Sequence, residues 1–158
     1  MSTEPALADY PIVRPVATRW ADNDMFGHLN NAVYYGIFDS VINGWLAEAT
    51  GISPLEHEAR GVVAESSCRF LAEVGFPDEV LVGLRIERLG TKSVTYQLAM
   101  FRDADGVVLA DFVSPAYVRS ALELMASPAS RPSSPLVTAF ATMAVDPDGD
   151  EMRRIAGS

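Results

Sequence analysis

Apolar side chains in the first third of the chain recur at helical spacing. They fall three or four residues apart at Val33, Tyr34, Ile37, Phe38, Val41, Ile42, Trp45, Leu46 and Ala49. This is the period of an α-helix, and it persists for about five turns. Asn30 or Asn31 suits the N-cap, and Gly51 suits the left-handed residue that follows a helix end. The pattern therefore predicts one long amphipathic helix.

A stripe of small residues runs along another face of this helix. Gly36, Ser40 and Gly44 are each four residues apart, so they share one side. A glycine inside a helix costs about 1 kcal/mol relative to alanine, and two of them require a reason. The stripe predicts the close approach of another backbone, with a curved sheet as the expected partner; the alternative is an ordinary surface helix that tolerates two glycines.

The rest of the chain alternates between apolar and polar positions, which predicts strands. The predicted strands are 12–20, 62–74, 80–89, 93–102 and 107–119. The inward residues of the two central strands are predicted to be Val80, Val82, Leu84, Ile86, Val94, Tyr96, Leu98 and Met100. A proline cannot donate to a ladder, so Pro15 and Pro115 predict an edge or a bulge in their strands.

The order of a strand, a long helix and four further strands predicts the α+β class. We expect a five-stranded antiparallel sheet curved around one long central helix, in a domain spanning residues 11–145. Residues 1–10 are predicted to be a flexible tail, and residues 146–158 a disordered one because they show no periodic pattern. A sheet with open edges and a single helix predicts a homodimer or a dimer of dimers, that is, a homotetramer.

The composition limits the kinds of partner that the protein can bind. The 21 acidic residues outnumber the 12 basic ones for a net charge of −9, which argues against nucleic acid and against an anionic membrane surface. Cys68 is the one cysteine, so the sequence excludes an intramolecular disulfide and a multi-cysteine metal site. The N-terminal residues do not resemble a secretory signal, and no apolar run is long enough to span a membrane. A cytoplasmic protein is the expectation.

The candidate chemistry lies in the polar loop directly ahead of the helix. This loop holds Asp22, Asn23, Asp24, His28, Asn30 and Asn31. A helix N-terminus offers unpaired N–H donors and about half a positive charge, which can stabilise an anion next to a carboxylate that acts as base or nucleophile. Two Asp and one His without a second His or a cysteine pair do not form a recognisable zinc set, so no metal and no cofactor are predicted.

The segment from Asp22 to Tyr34, DNDMFGHLNNAVY, resembles the signature of hotdog-fold acyl thioesterases. The family members whose signature the segment resembles are 4-hydroxybenzoyl-CoA thioesterase and the plant acyl-ACP thioesterases. The resemblance extends over residues 12–120, with further landmarks at 76–80 and 89–93. It implies the hotdog fold and hydrolysis of an acyl thioester, carried by coenzyme A or by an acyl-carrier protein.

The resemblance assigns roles to three residues of the loop. Asp24 matches the catalytic acid of the family, which serves as nucleophile or general base. The backbone N–H of Asn31 matches the group that polarises the thioester carbonyl, and His28 matches a functional histidine of the plant enzymes. The chain departs from the plant pattern at Phe26 and Gly27, where those enzymes have Asn and Gln. It also lacks the histidine that the bacterial acyl-CoA branch often carries at the position of Asn31.

Further residues are weaker candidates for substrate binding. Asn30 and Tyr34 begin the helix, Glu65 lies on the strand expected beside it, and Lys92 is a candidate for the phosphates of coenzyme A. Asn30 is also a candidate cap, Tyr34 a candidate core residue, and Asp22 a loop-stabilising residue. The alternative function is a hotdog module that binds acyl thioesters or a protein partner without hydrolysing them. A hotdog dehydratase is disfavoured because the loop lacks the proline of that signature.

Overall fold

The computed structural model describes residues 4–51, 53, 61–63, 65–89 and 93–118. The helix α1 spans Asn31–Thr50. The strands are β1 (Ile12–Ala17), β2 (Gly61–Val63), β3 (Ser67–Phe70), β4 (Glu79–Leu89), β5 (Ser93–Arg102) and β6 (Val108–Val118). Two short 3-10 helices, Leu7–Asp9 and Trp20–Asp22, precede and follow β1. The element order is the one predicted from the sequence, except that β2 and β3 stand where a single strand was predicted.

The strands form one antiparallel sheet in the order β1, β4, β5, β6, with β2 and β3 both on the outer side of β6. Two short strands therefore share the fifth position, and the single strand predicted over 62–74 is wrong. Val63 of β2 pairs with Ala116 of β6, and Ser67 of β3 pairs with Val113 of β6. The chain therefore advances four residues from β2 to β3 while β6 advances only three. The extra residue interrupts the ladder, as in a β-bulge. Pro115 lies within this interruption, as predicted for a proline in that strand.

The helix packs its predicted apolar face against the sheet. Its buried residues are Tyr34, Phe38, Val41, Ile42 and Trp45. They meet side chains from β4 and β5, where the predicted inward positions are buried, apart from Ile86, which is partly buried against the same core. The side chain of Asn30 caps the first turn, and Gly51 ends the helix in a left-handed conformation. The five-position hotdog arrangement of a sheet around one helix is confirmed.

The stripe of small residues does not contact another backbone within the described part of the chain. Gly36, Ser40 and Gly44 are exposed, and an added Cβ at either glycine would meet nothing within 4 Å there. The Ser40 hydroxyl donates to the Gly36 carbonyl along the same face. The expectation that the sheet covers this stripe is wrong, because the sheet lies against the apolar face.

The folded body begins before residue 11. Leu7–Asp9 forms a 3-10 turn, and the ring of the buried Tyr10 packs edge-on against Phe101 at a centroid distance of 6.0 Å. The same ring fills the space left by Gly83, where an added Cβ would lie 2.5 Å from Tyr10 Cγ. The prediction that residues 1–10 form a flexible tail is therefore wrong for residues 7–10. The predicted domain end at 145 and the tail 146–158 lie outside the described residues.

Candidate active site

Residues 22–30 form a tight hairpin that ends at the N-terminus of α1. The Asp24 N–H donates to the His28 carbonyl at 2.8 Å, and the Asn30 N–H donates to the Asp22 carbonyl at 2.9 Å. Between these pairs, Asn23 and Leu29 form an antiparallel bridge. The hairpin therefore places Asp24 opposite His28 and connects both to the start of the helix.

The Asp24 carboxylate is held by one oxygen only. Its Oδ1 accepts hydrogen bonds from the backbone N–H of Phe26 at 2.8 Å and of His28 at 3.3 Å. No partner of Oδ2 lies within the described residues, and the side chain is partly exposed. A carboxylate fixed in this way has a defined orientation and one oxygen available for a proton or a reacting carbon.

The N-terminus of α1 retains a free donor. The Asn30 side chain accepts from the Ala32 N–H at 2.9 Å, and the Asn30 carbonyl accepts from the Val33 N–H at 2.9 Å. The N–H of Asn31 has no acceptor in the part of the chain that the structure describes. Asn30 thus caps the helix, while Asn31 offers the N–H that the family resemblance assigned to the thioester carbonyl.

Asp22 stabilises the start of the hairpin through its side chain. It is 3% exposed and accepts from the backbone N–H of Arg19 at 2.8 Å and from its guanidinium at 2.7 Å. The hydrogen bonds of Arg19 hold the pKa of the Asp22 carboxyl below its ordinary value, although burial acts in the opposite direction. This arrangement agrees with the structural role predicted for Asp22.

We expect Asp22→Asn to lower the free energy of unfolding at neutral pH by about 1–3 kcal/mol, the usual cost of weakening a buried charged hydrogen bond. A carboxyl whose pKa is lowered by folding stabilises the protein above its unfolded pKa of about 4. That contribution disappears as the pH falls through the folded pKa, so the difference from wild type should shrink in acid. Urea unfolding at several pH values measures this difference in unfolding free energy between the variant and the wild type. Asp39→Asn, on the exposed side of α1, is the control; an equal loss in both variants would contradict the assignment.

A second segment, Glu73–Phe76, packs against the hairpin and stabilises it. The Leu29 N–H donates to the Val74 carbonyl at 2.7 Å, and the Phe76 N–H donates to Asn23 Oδ1 at 3.0 Å. An added Cβ at Gly75 would lie 2.5 Å from the Gly27 carbonyl oxygen, so the two backbones touch. Nε2 of His28 lies 3.3 Å from a carboxylate oxygen of Glu73. Glu73 carries no motif and lies far from the loop in sequence, so sequence reasoning missed it.

Among the other predicted site residues, Tyr34 and Glu65 make no contact with Asp24 within the described chain. Tyr34 is buried in the core with its ring edge-on to Phe70 at 5.0 Å, and burial raises its pKa. Glu65 is exposed between β2 and β3, and no hydrogen bond or ion pair joins it to residues 22–30 within the described chain. Lys92 lies outside the described residues. Burial raises the pKa of the Cys68 thiol to about 11, which argues against a nucleophilic thiolate at this position.

A cavity of about 380 Å³ lies between the end of β1 and the first turns of α1. Its walls are formed by Val16, Ala17, Arg19, Asp22, Val33, Gly36, Ile37 and Ser40. The small side of the helix is thus part of this space. Asp24 does not line the cavity, and Asp22 is the acidic residue that reaches it.

Large apolar side chains are exposed around the hairpin and along one sheet edge. Met25 and Phe26 at the hairpin tip are 90% and 75% exposed, and Trp20 contacts Phe76 edge-on beside them. Val63, Phe70 and Leu71 are exposed along the β2–β3 edge, and Tyr35 is exposed on α1. Sets of exposed apolar side chains of this kind indicate contact surfaces.

No three His, Cys, Asp or Glu side chains within 4–51, 53, 61–63, 65–89 and 93–118 lie together in a group that could hold a metal ion. In that same part of the chain, α1 is not apolar enough to cross a membrane, and no other helix is long enough.

Comparisons with known proteins agree with this fold. The family model of the Thioesterase superfamily matches residues 26–109, beginning just after Asp24. The PA5185 protein of Pseudomonas aeruginosa strain PAO1 is 35% identical, with a TM-score of 0.74 over 88% of this chain and 95% of that one. A candidate acyl-CoA thioesterase of Xanthomonas campestris is 27% identical, with a TM-score of 0.63 over 69% of this chain and 92% of that one.

A curated relative matches over a shorter stretch. The uncharacterized protein YsmA of Bacillus subtilis (strain 168) is 28% identical over 80 residues, which are 51% of this chain. The match spans 54% of YsmA, about half of its length. The family model covers more than half of the chain, and PA5185 resembles it over nearly its whole length. The chain therefore belongs to the Thioesterase superfamily.

Proposed function

We propose that this protein hydrolyses acyl thioesters, with Asp24 as the catalytic carboxylate. One observation carries the proposal: Asp24 is fixed through Oδ1 by two backbone N–H groups, Oδ2 has no partner among the described residues, and the same hairpin leads into a helix N-terminus where the Asn31 N–H has no acceptor in that part of the chain. A carboxylate and an oxyanion donor in one short loop are what thioester cleavage requires. The superfamily to which the chain belongs supports the same chemistry.

The reaction follows from these groups. In one route, Asp24 takes a proton from water, and the resulting hydroxide adds to the thioester carbonyl. In the other, the Asp24 oxygen adds to the carbonyl itself, and water later hydrolyses the anhydride. In both, the Asn31 N–H stabilises the negative oxygen, the C–S bond breaks, and the thiolate leaves and is protonated. A single turnover in ¹⁸O-labelled water that places the label in Asp24 identifies the anhydride route, and a trapped acyl-Asp24 adduct identifies that route when water attacks the acyl carbon instead.

The proposed substrates are acyl-CoA thioesters. The likeness to a candidate acyl-CoA thioesterase of Xanthomonas campestris supports coenzyme A as the carrier. Lys92 stays the predicted contact to its phosphates. Asn30, Tyr34 and Glu65 stay sequence predictions for the substrate, although the capping bond of Asn30 and the burial of Tyr34 favour structural roles for these two. A cytoplasmic location fits this choice of substrate.

A panel of aliphatic and aromatic acyl-CoA thioesters, with a thiol-detecting reagent, tests the proposal. The same acyl groups on a carrier protein test the choice of carrier. We expect thiol release with at least one acyl-CoA and at least about a hundredfold slower release with the Asp24→Asn variant. Binding of acyl-CoA without any thiol release would instead support the non-hydrolytic module.

We also propose that the protein assembles as a homodimer or a dimer of dimers. Within the described residues, β1 pairs only with β4, and β3 pairs only with β6. The exposed residues Val63, Phe70 and Leu71 lie along the β2–β3 side. An open edge with apolar side chains is a surface that a second copy can cover. Light scattering at micromolar concentration should give at least twice the 17.1 kDa of one chain, and a monomer would exclude this assembly.

A further inference from the structure

We propose that Glu73 is a positioning residue for His28: its carboxylate, which contacts Nε2 of the imidazole, favours the proton on that nitrogen and thereby leaves Nδ1 as a hydrogen-bond acceptor at the Asp24 hairpin. The inference rests on the proposed function, because it assigns His28 and Asp24 to the same attacking water. Nε2 of His28 lies 3.3 Å from Oε2 of Glu73. A neutral imidazole has one donor and one acceptor nitrogen, and the partner of one nitrogen decides the state of the other.

The backbone around Glu73 is anchored on both sides. The next residue, Val74, accepts from the Leu29 N–H at 2.7 Å. The Glu73 carbonyl itself accepts from Arg102 Nη2 at 2.5 Å, and Nη1 of Arg102 lies 2.9 Å from Asp105. The main chain of Glu73 is therefore held in place, directly beside the strand of the hairpin that carries His28.

This contact is not a major source of stability. The side chains of His28 and Glu73 are 44% and 78% exposed, and exposed pairs contribute little to folding. The contact instead orients the imidazole ring of His28 and determines which ring nitrogen carries the proton. Removing Glu73 should therefore change the chemistry of the site more than the stability of the fold.

His28 is coupled to Asp24 through its backbone. The His28 N–H donates to Asp24 Oδ1, and the His28 carbonyl accepts from the Asp24 N–H. Nδ1 is the ring nitrogen nearer to that backbone, whereas Nε2 points to Glu73. A water that donates to both Nδ1 and the free Oδ2 of Asp24 would direct its lone pairs at a thioester carbonyl. Glu73 acts on this water only through the histidine.

The kinetic test is a double-mutant cycle. We expect Glu73→Ala to lower kcat about tenfold with KM changed less than about twofold, and Glu73→Gln to lose less because its amide oxygen still accepts the hydrogen bond. In a His28→Gln background, Glu73→Ala should cause no further loss. Glu87→Ala removes a similarly exposed carboxylate, paired with Arg85 at 3.4 Å, and should leave kcat unchanged.

The second readout needs no substrate. The chain has 2 histidines, so ¹⁵N spectra of the imidazoles contain two sets of signals, and His57→Gln assigns them. In the neutral form, His28 should be held as the Nε2–H tautomer, and Glu73→Ala should convert it to a mixture, whereas Glu87→Ala should not. An unchanged tautomer with unchanged kcat would overturn the proposal, as would an undiminished loss in the His28→Gln background. If the wild type hydrolyses no thioester, the tautomer alone decides whether Glu73 positions His28.

Discussion

Asp24→Asn is expected to lower turnover at least about a hundredfold, the scale typical of a lost general base or nucleophile. The substitution keeps an oxygen that can accept from the N–H groups of Phe26 and His28, so the hairpin should retain its shape. It replaces the free carboxylate oxygen with an NH₂ group, which cannot take a proton from water or attack a carbonyl. Binding of acyl-CoA should therefore largely survive.

Thiol release by the wild type and the variant, with acyl-CoA binding and melting temperature followed in parallel, measures this effect. Asp22→Asn provides the comparison, since it also neutralises one carboxylate of the loop. That variant should lose stability more than turnover, because Asp22 is bonded to Arg19 and not free. Hydrolysis by Asp24→Asn at the wild-type rate would refute the proposed mechanism.

Gly75→Ala is expected to damage the site without touching a candidate catalytic residue. The added Cβ would lie 2.5 Å from the Gly27 carbonyl oxygen and 3.3 Å from Asn23 Oδ1. The first neighbour is backbone within the hairpin, so it cannot rotate away as a side chain would. Overpacking of this kind costs about 1–3 kcal/mol. A displacement of about 1 Å at a reacting group can cost about a hundredfold in rate, so we expect kcat to fall about ten- to hundredfold.

Gly44→Ala is the matched control. It is the same substitution at a helical position where the new Cβ meets nothing within 4 Å of the described chain, and it should stabilise the helix by up to about 1 kcal/mol. Thermal unfolding and thiol release would be measured for both variants. If Gly75→Ala kept the wild-type kcat, the contact with Gly27 would not position the Asp24 hairpin.

The sequence by itself determined the features that depend on neighbouring residues. The three- and four-residue spacing from Val33 to Ala49, the Asn30 cap and the left-handed Gly51 were sufficient to define the helix, which spans Asn31–Thr50. Alternation in β4 and β5 identified the side chains that face it. These signals can be read within a few residues, because helical hydrogen bonds and strand pleats repeat over short distances. The loop that holds Asp24 was recognised in the same local way, through its resemblance to a family.

The tertiary structure alone decided which distant segments meet. The split of the predicted strand 62–74 depends on its register against β6, and the position of Tyr10 depends on the space above Gly83. Glu73 and Gly75 support the hairpin only because the connection from β3 to β4 passes beside it. Such contacts join residues that are tens of positions apart, and no periodicity or motif encodes them. Their partners are selected by the packing and pairing of the whole sheet, which a local sequence pattern does not contain.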